Sequence, residues 1–174
     1  MLTAGLTFGM LTGCGGEEKK TYDQACADLA QGSYDYALQG YQSSITAGYK
    51  TAEAYRGAGI ANIHLGNYQD AIDSLTNGLN DEKAGKALKK DMLAYRATAE
   101  LKSGLNDAAM ADCQTLAESY SMDAETYYLT GCVALAGLIS SCGSVQEEAN
   151  YQIIPLPQEI VTSQVNPFIL KSGV

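Results

Sequence analysis

One histidine, five cysteines and a short glycine run are the parts of this 174-residue chain with the widest chemical range. His64 is the only imidazole, so any histidine-assisted proton transfer or nucleophile activation must pass through it. Cys132 and Cys142 are the thiols it would serve, and Ser140-Ser141-Cys142-Gly143 surrounds one of them with small residues. No third group is spaced to orient such a pair, which leaves a small thiol-dependent enzyme as a distant alternative. A single histidine without a Cys-x-x-Cys pair excludes the common metal sites, and no cofactor is implied. Gly57-Ala58-Gly59 fails as a phosphate loop, because it falls inside a helical pattern and Asn62 stands where the third glycine belongs. With 20 acidic residues against 11 basic ones, net −9, the chain lacks the basic footprint that nucleic acid requires.

Cys14 belongs to a different chemistry. Residues 1–13, MLTAGLTFGMLTG, are small and apolar without a charge, and they stop at Cys14-Gly15-Gly16-Glu17-Glu18-Lys19-Lys20. The run Leu11-Thr12-Gly13-Cys14 resembles the end of a bacterial lipoprotein signal peptide: an apolar residue, two small ones, then the cysteine whose thiol receives diacylglycerol. That resemblance implies cleavage before Cys14, a lipid anchor there, a flexible tether over 14–20 and an extracytoplasmic domain held at a bacterial cell membrane. The basic residues expected ahead of such a stretch are missing, which places the expected true start upstream of Met1. The alternative is a cytosolic protein whose apolar N-terminus packs on its own core, with Cys14 an ordinary thiol.

The elements that position the remaining residues follow from a repeat. Apolar residues make up 46% of the chain, too many for disorder, and no uninterrupted apolar window of about 18 residues exists to span a bilayer. Gly32-Ser33-Tyr34-Asp35-Tyr36-Ala37-Leu38 recurs 34 residues later as Gly66-Asn67-Tyr68-Gln69-Asp70-Ala71-Ile72, and Tyr41 and Leu75 keep the same offset. A third copy, Gly104-Leu105-Asn106-Asp107-Ala108-Ala109-Met110, follows after 38, with four extra residues in the stretch 80–85. Each block reads as helix, glycine turn, helix, with Ser33, Asn67 and Asn106 as N-cap types and Ala37, Ala71 and Ala109 as sites of close helix crossing. Tyr34 and Tyr68 are placed to wedge between paired helices with their hydroxyls reaching water. Thr21-Tyr22-Asp23-Gln24 forms a capping-box pattern that opens the first copy, and a fourth starts at Asp123 but loses the pattern after Leu138.

These positions resemble the tetratricopeptide repeat (TPR) family, best over Ala52 to Leu79: Tyr55 opens the first helix, Ala58-Gly59 lets helices approach, and Gly66, Tyr68 and Ala71 cross the turn. Asn62, where the family prefers a large aromatic, and Gly78, where it prefers alanine, depart from it. The resemblance implies an all-α, helix-turn-helix repeat solenoid (a TPR-like superhelix) over 21–138, about three and a half copies, with an irregular C-terminal tail. It also implies a protein–protein interaction module, an adaptor or assembly factor rather than an enzyme, whose first helices line a groove for another protein or a peptide. Carried over copy by copy, the groove register falls on Tyr22, Cys26 and Leu29; on Glu53, Arg56, Ile60, Ile63 and His64; on Ala94, Thr98, Leu101 and Lys102; and on Tyr128, Cys132 and Leu135. The Lys and Asn set with which some members clamp a terminal carboxylate is missing. A cytosolic scaffold of the same repeats is the alternative to the anchored form.

Residues 139–174 carry all three prolines, and Ser144-Val145-Gln146-Glu147 reads as a capping box opening a short helix that Pro155 and Pro157 end. Cys26, Cys113 and Cys132 sit on helices in different copies and are expected to stay free thiols, with a Cys132 to Cys142 bridge the one pairing worth testing. Charge is uneven: net −4 over 21–80, +2 over 81–102 and −7 over 103–174, which favours a basic or neutral partner surface facing the C-terminal end.

Overall fold

The computed structural model describes residues 16–149, with the side chains of 16–140. Residues 1–13, the proposed lipid site Cys14, the Cys142 side chain and the Pro-containing segment 150–174 lie outside the described residues. Seven helices follow one another: α1 Gly16–Ala30, α2 Tyr34–Thr46, α3 Thr51–Leu65, α4 Tyr68–Asn80, α5 Lys86–Lys102, α6 Asn106–Ser119 and α7 Ala124–Ala149. No strand occurs among the described residues, and no helix there is long and apolar enough to cross a membrane. Residues up to Leu138 form one compact unit, and the described part of a second is the stretch of α7 from Ile139. The chain is an all-α helical-repeat solenoid.

Within the first unit each of the helices α1 to α6 packs on its neighbour in sequence, and the odd helices also meet directly, α1 with α3 and α3 with α5. That pattern puts the odd helices in one layer and the even helices behind them. The core is built from cells that each join an odd helix, the next even helix and the following odd one. Ala25, Ala37, Tyr41, Ala54 and Ala58 fill the first cell; Ala52, Leu75, Ala84 and Met92 the second; Ala97, Ala109, Cys113 and Val133 the third. Alanine dominates because a methyl group lets two backbones approach closely, and Ala37, Ala71 and Ala109 are all fully buried at the expected crossings.

The glycine turns are the most uniform feature. Gly32, Gly66 and Gly104 adopt φ of 80°, 81° and 81°, a left-handed conformation that costs an L side chain but not glycine. Each following amide closes the same six-residue bond, from Ser33 to the Asp28 carbonyl, from Asn67 to that of Asn62 and from Leu105 to that of Glu100, at 2.8 to 2.9 Å. The three N-cap residues have nearly identical dihedrals, yet none makes a side-chain capping bond, and the third is Leu105, with Asn106 already inside the helix. Ser33 and Asn67 thus stand at the expected N-caps and Asn106 one residue inside its helix, while the turn's geometry is set through glycine and backbone rather than by an N-cap side-chain bond.

Two other expectations change. Helix α1 starts at Gly16 rather than Thr21, so 16–20 is helical and not a flexible tether. Glu17 and Glu18 in the first turn suit the positive end of the helix dipole, Lys19–Asp23 and Lys20–Glu17 pairs tie successive turns, and the Thr21 hydroxyl bonds to the Glu17 carbonyl instead of capping. Helix α7 runs on through Ser144, whose capping-box pattern has no chain reversal before it and so opens no new helix. The Cys132 to Cys142 pairing falls on a side chain outside the described residues. Cys26, Cys113 and Cys132 are free thiols.

Candidate partner-binding groove

Because the odd helices share a layer, one face of each is left uncovered by the even ones. Those faces join into a groove of about 760 Å³. Its wall takes Tyr22 and Cys26 from α1, Glu53, Arg56 and Gly57 from α3, a long strip from Ala87 to Leu101 on α5, and Glu125, Thr126, Tyr128, Leu129 and Cys132 from α7. On α5 the lining residues Leu88, Asp91, Ala94, Tyr95, Thr98 and Leu101 recur every three or four positions, which is one stripe of a helix.

Tyr41 is the single contribution from an even helix, and a glycine explains it. A Cβ at Gly57 would collide with the Tyr41 ring, so the bare α3 backbone there is what admits Tyr41 to the groove floor. Tyr41 is otherwise buried, its hydroxyl donating to the Cys26 Sγ at 3.5 Å and its ring meeting Tyr22 edge-on at 5.9 Å. Tyr22 in turn packs on Tyr49 and carries Lys50 Nζ 4.8 Å from its ring centre. Burial, reinforced by Cys26, raises both the Tyr22 and Tyr41 phenols far above the ordinary tyrosine range, so both remain neutral donors.

Both cations that line the groove are engaged. Arg56 on α3 pairs with Asp91 on α5 and lies 5.4 Å from the Tyr95 ring centre. Lys90 on α5 holds Asp123 at 2.7 Å, and Asp123 also caps α7 by accepting from the Thr126 amide and hydroxyl at 2.9 and 2.7 Å. That set of donors holds the Asp123 carboxyl well below its usual range. Each pair ties neighbouring odd elements together across the groove floor.

Tyr22, Glu53, Arg56, Thr98, Leu101 and Tyr128, with Cys26, Ala94 and Cys132, are brought together on this wall. Six expected groove residues are placed elsewhere. Ile60 is buried, and Ile63 packs on the Leu75 and Met92 core, because α3 is flanked on both sides and its apolar positions serve the interior. His64 is exposed but stacks flat on Tyr34 at 4.3 Å, tying the start of α2 to the end of α3 outside the groove. Tyr34 thus joins two copies rather than wedging within one pair. Lys102, at the end of α5, and Leu135 are exposed, and Leu29 packs half-buried against the first core cell; none of the three lines the groove. The sequence reading missed Leu88, Lys90, Asp91 and Tyr95. The 38-residue offset that aligned the third copy also maps Glu53 onto Asp91, a signal that was available.

Behind the α5 wall lies a second, unexpected set. Arg96 makes a two-pronged pair with Asp112 on α6, both bonds 2.7 Å, and gives a third bond of 3.0 Å to Thr76 on α4. Glu100, one turn along, reaches only to 3.8 Å of Arg96, and its buried Oε2 has no hydrogen-bond partner. Burial, with the nearby Asp112 charge, pushes the Glu100 carboxyl up to about 7 against the smaller pull of Arg96. Asn62, at the matching position of the second copy, also has a buried unpartnered oxygen. No group of three or more His, Cys, Asp or Glu able to hold a metal occurs among the described residues.

No protein-family model matches the chain, and no curated protein does. Among solved structures it is similar to the second TPR domain of the human RPAP3 protein, determined by NMR in complex with the HSP70 peptide SGPTIEEVD. The TM-score is 0.59 at 16% identity, over 67% of this chain and 98% of that one. The likeness establishes a TPR-like fold, the class that the glycine turns and two-layer packing define.

Proposed function

We propose that this chain is a non-catalytic interaction module whose odd-helix groove holds an extended segment of another protein, and that it works outside the cytoplasm, lipid-anchored through Cys14 to a bacterial cell membrane. The groove carries the reading: its wall is drawn from all four odd helices, α1, α3, α5 and α7, and encloses about 760 Å³. A domain of the same fold holding a nonapeptide supports that use. The lipoprotein part rests on Leu11-Thr12-Gly13-Cys14 and the uncharged stretch before it.

The acidic chemistry of that nonapeptide does not transfer. Arg56 and Lys90 are committed to Asp91 and Asp123, which leaves no unpaired cation among the groove-lining residues to receive carboxylates. His64 and the groove thiol of Cys132 are placed in different surroundings, so a thiol enzyme gains no support.

Two experiments test the two parts. Radiolabelled palmitate should enter the wild-type protein in a bacterial host and be lost in Cys14→Ser; label that never enters, or that persists in the variant, defeats the anchor and favours a cytosolic scaffold. A photoreactive residue at Thr98, in the groove, should crosslink a partner in cells, whereas one at Glu118, on the exposed side of α6, should not. Equal capture at both positions sinks the groove.

A further inference from the structure

The groove's charge is unbalanced in a way that specifies its occupant. Four carboxylates line it, Glu53, Asp91, Asp123 and Glu125, against the two cations Arg56 and Lys90. The cations consume Asp91 and Asp123. Glu53 on α3 and Glu125 in the first turn of α7 remain, on opposite sides of the α5 strip, neither in an ion pair nor in a hydrogen bond among the described residues. Between them the wall is aromatic and aliphatic: Tyr95, Tyr128, Leu88, Leu101 and Leu129. Tyr128 is 75% exposed, so its ring is open to an occupant of the groove.

We infer that the groove takes an extended protein segment in which lysine or arginine side chains, seated by Glu53 and Glu125 over the neighbouring tyrosine rings, alternate with apolar side chains on the Leu88, Leu101 and Leu129 strip. This deepens the proposed function and rests on the groove being the binding face. The charge argument is one of complementarity: an acidic partner would meet two unpaired carboxylates and no available cation, while a cationic one gains ion pairs and cation–π contact where water is partly excluded. The intramolecular pairs link α3 to α5 and α5 to the start of α7 along the groove.

The test is a selection of random 12-residue displayed peptides on the immobilised full chain, with Ala94→Trp as the counter-selection. Ala94 lines the groove, so tryptophan there fills it while the net charge stays the same, and peptides that merely stick to an acidic protein are removed. Peptides retained by the wild type should be enriched in Lys and Arg over Asp and Glu, with apolar residues between them. Glu53→Gln with Glu125→Gln should weaken them at least tenfold, and Asp107→Asn with Glu118→Gln, an equal charge change on exposed α6 positions, should not. A retained set that is neutral or acidic, or that ignores the Glu53 and Glu125 changes, overturns the cationic occupant while leaving the groove as the binding face. A set that binds Ala94→Trp equally well overturns the groove itself.

Discussion

Glu100 offers the sharpest test of the packing behind the groove. Its side chain is buried, 6% exposed, beside an arginine already taken two-pronged by Asp112, and its carboxyl moves from the 4.5 of an exposed glutamate to about 7. The folded state therefore holds a proton more tightly than the unfolded one, and stability must fall as pH rises from about 4.5 through 7. Each tenfold change in proton affinity is worth about 1.4 kcal/mol, so the loss between pH 4.5 and 8 amounts to roughly 3 kcal/mol, a large share of a small domain's stability. Glu100→Gln keeps the shape and removes the ionisation. Urea unfolding of both proteins across that pH range should give a stability difference near zero at pH 4.5 that grows to about 3 kcal/mol in favour of the variant at pH 8. Subtracting one protein from the other cancels the exposed acids common to both. A difference that stays flat across the range would refute a buried, unpartnered carboxyl at this position.

The other expectations are briefer. Asp112→Ala strips Arg96 of its two-pronged partner and should cost roughly 3–5 kcal/mol in urea unfolding; at the same time Glu100, freed of a neighbouring negative charge, should titrate closer to an ordinary carboxylate by NMR. Gly57→Ala drives a methyl into the Tyr41 ring and should cost roughly 1–3 kcal/mol, part of it recovered by adding Tyr41→Leu. Asp123 ionises below its unfolded value, so its support is present above about pH 4 and lost on acidification; Asp123→Asn should unfold with a weaker acid limb than the wild type, read by circular dichroism.

Much of the fold is written in short-range signals. The Gly32, Gly66 and Gly104 turns and the alanines five residues on are local, repeated and almost free of alternatives, since a left-handed turn asks for glycine and a close crossing asks for a methyl. The groove face was legible on α1 and in the first half of α3 for the same reason. It failed at Ile60 and Ile63 because an apolar residue on a helix buried from both sides looks the same whether it faces core or groove. It failed at His64 because stacking on Tyr34 depends on a neighbour 30 residues away. Glu100 follows Asn62 as a buried polar residue, but Arg96 and Asp112 stand where the second copy has Ala58 and Ser74, and no periodicity can announce such a pair. Helix ends were misjudged at Thr21 and Ser144, where a capping pattern occurs without the chain reversal that would make it a start.

The early start of α1 sets a leash length. Cys14 precedes the first helical residue, Gly16, by two positions, which is at most about 7 Å of chain. On the anchored reading the module does not swing on a flexible arm; its first helix leaves almost directly from the lipid, and Tyr22 at the head of the groove lies only about 9 Å further along that helix. Its partners would then be drawn from what stands within a few nanometres of the bilayer, such as the membrane-proximal segments of other envelope proteins. Lengthening the leash by a dozen Gly and Ser residues after Cys14 would widen that catchment without touching the groove.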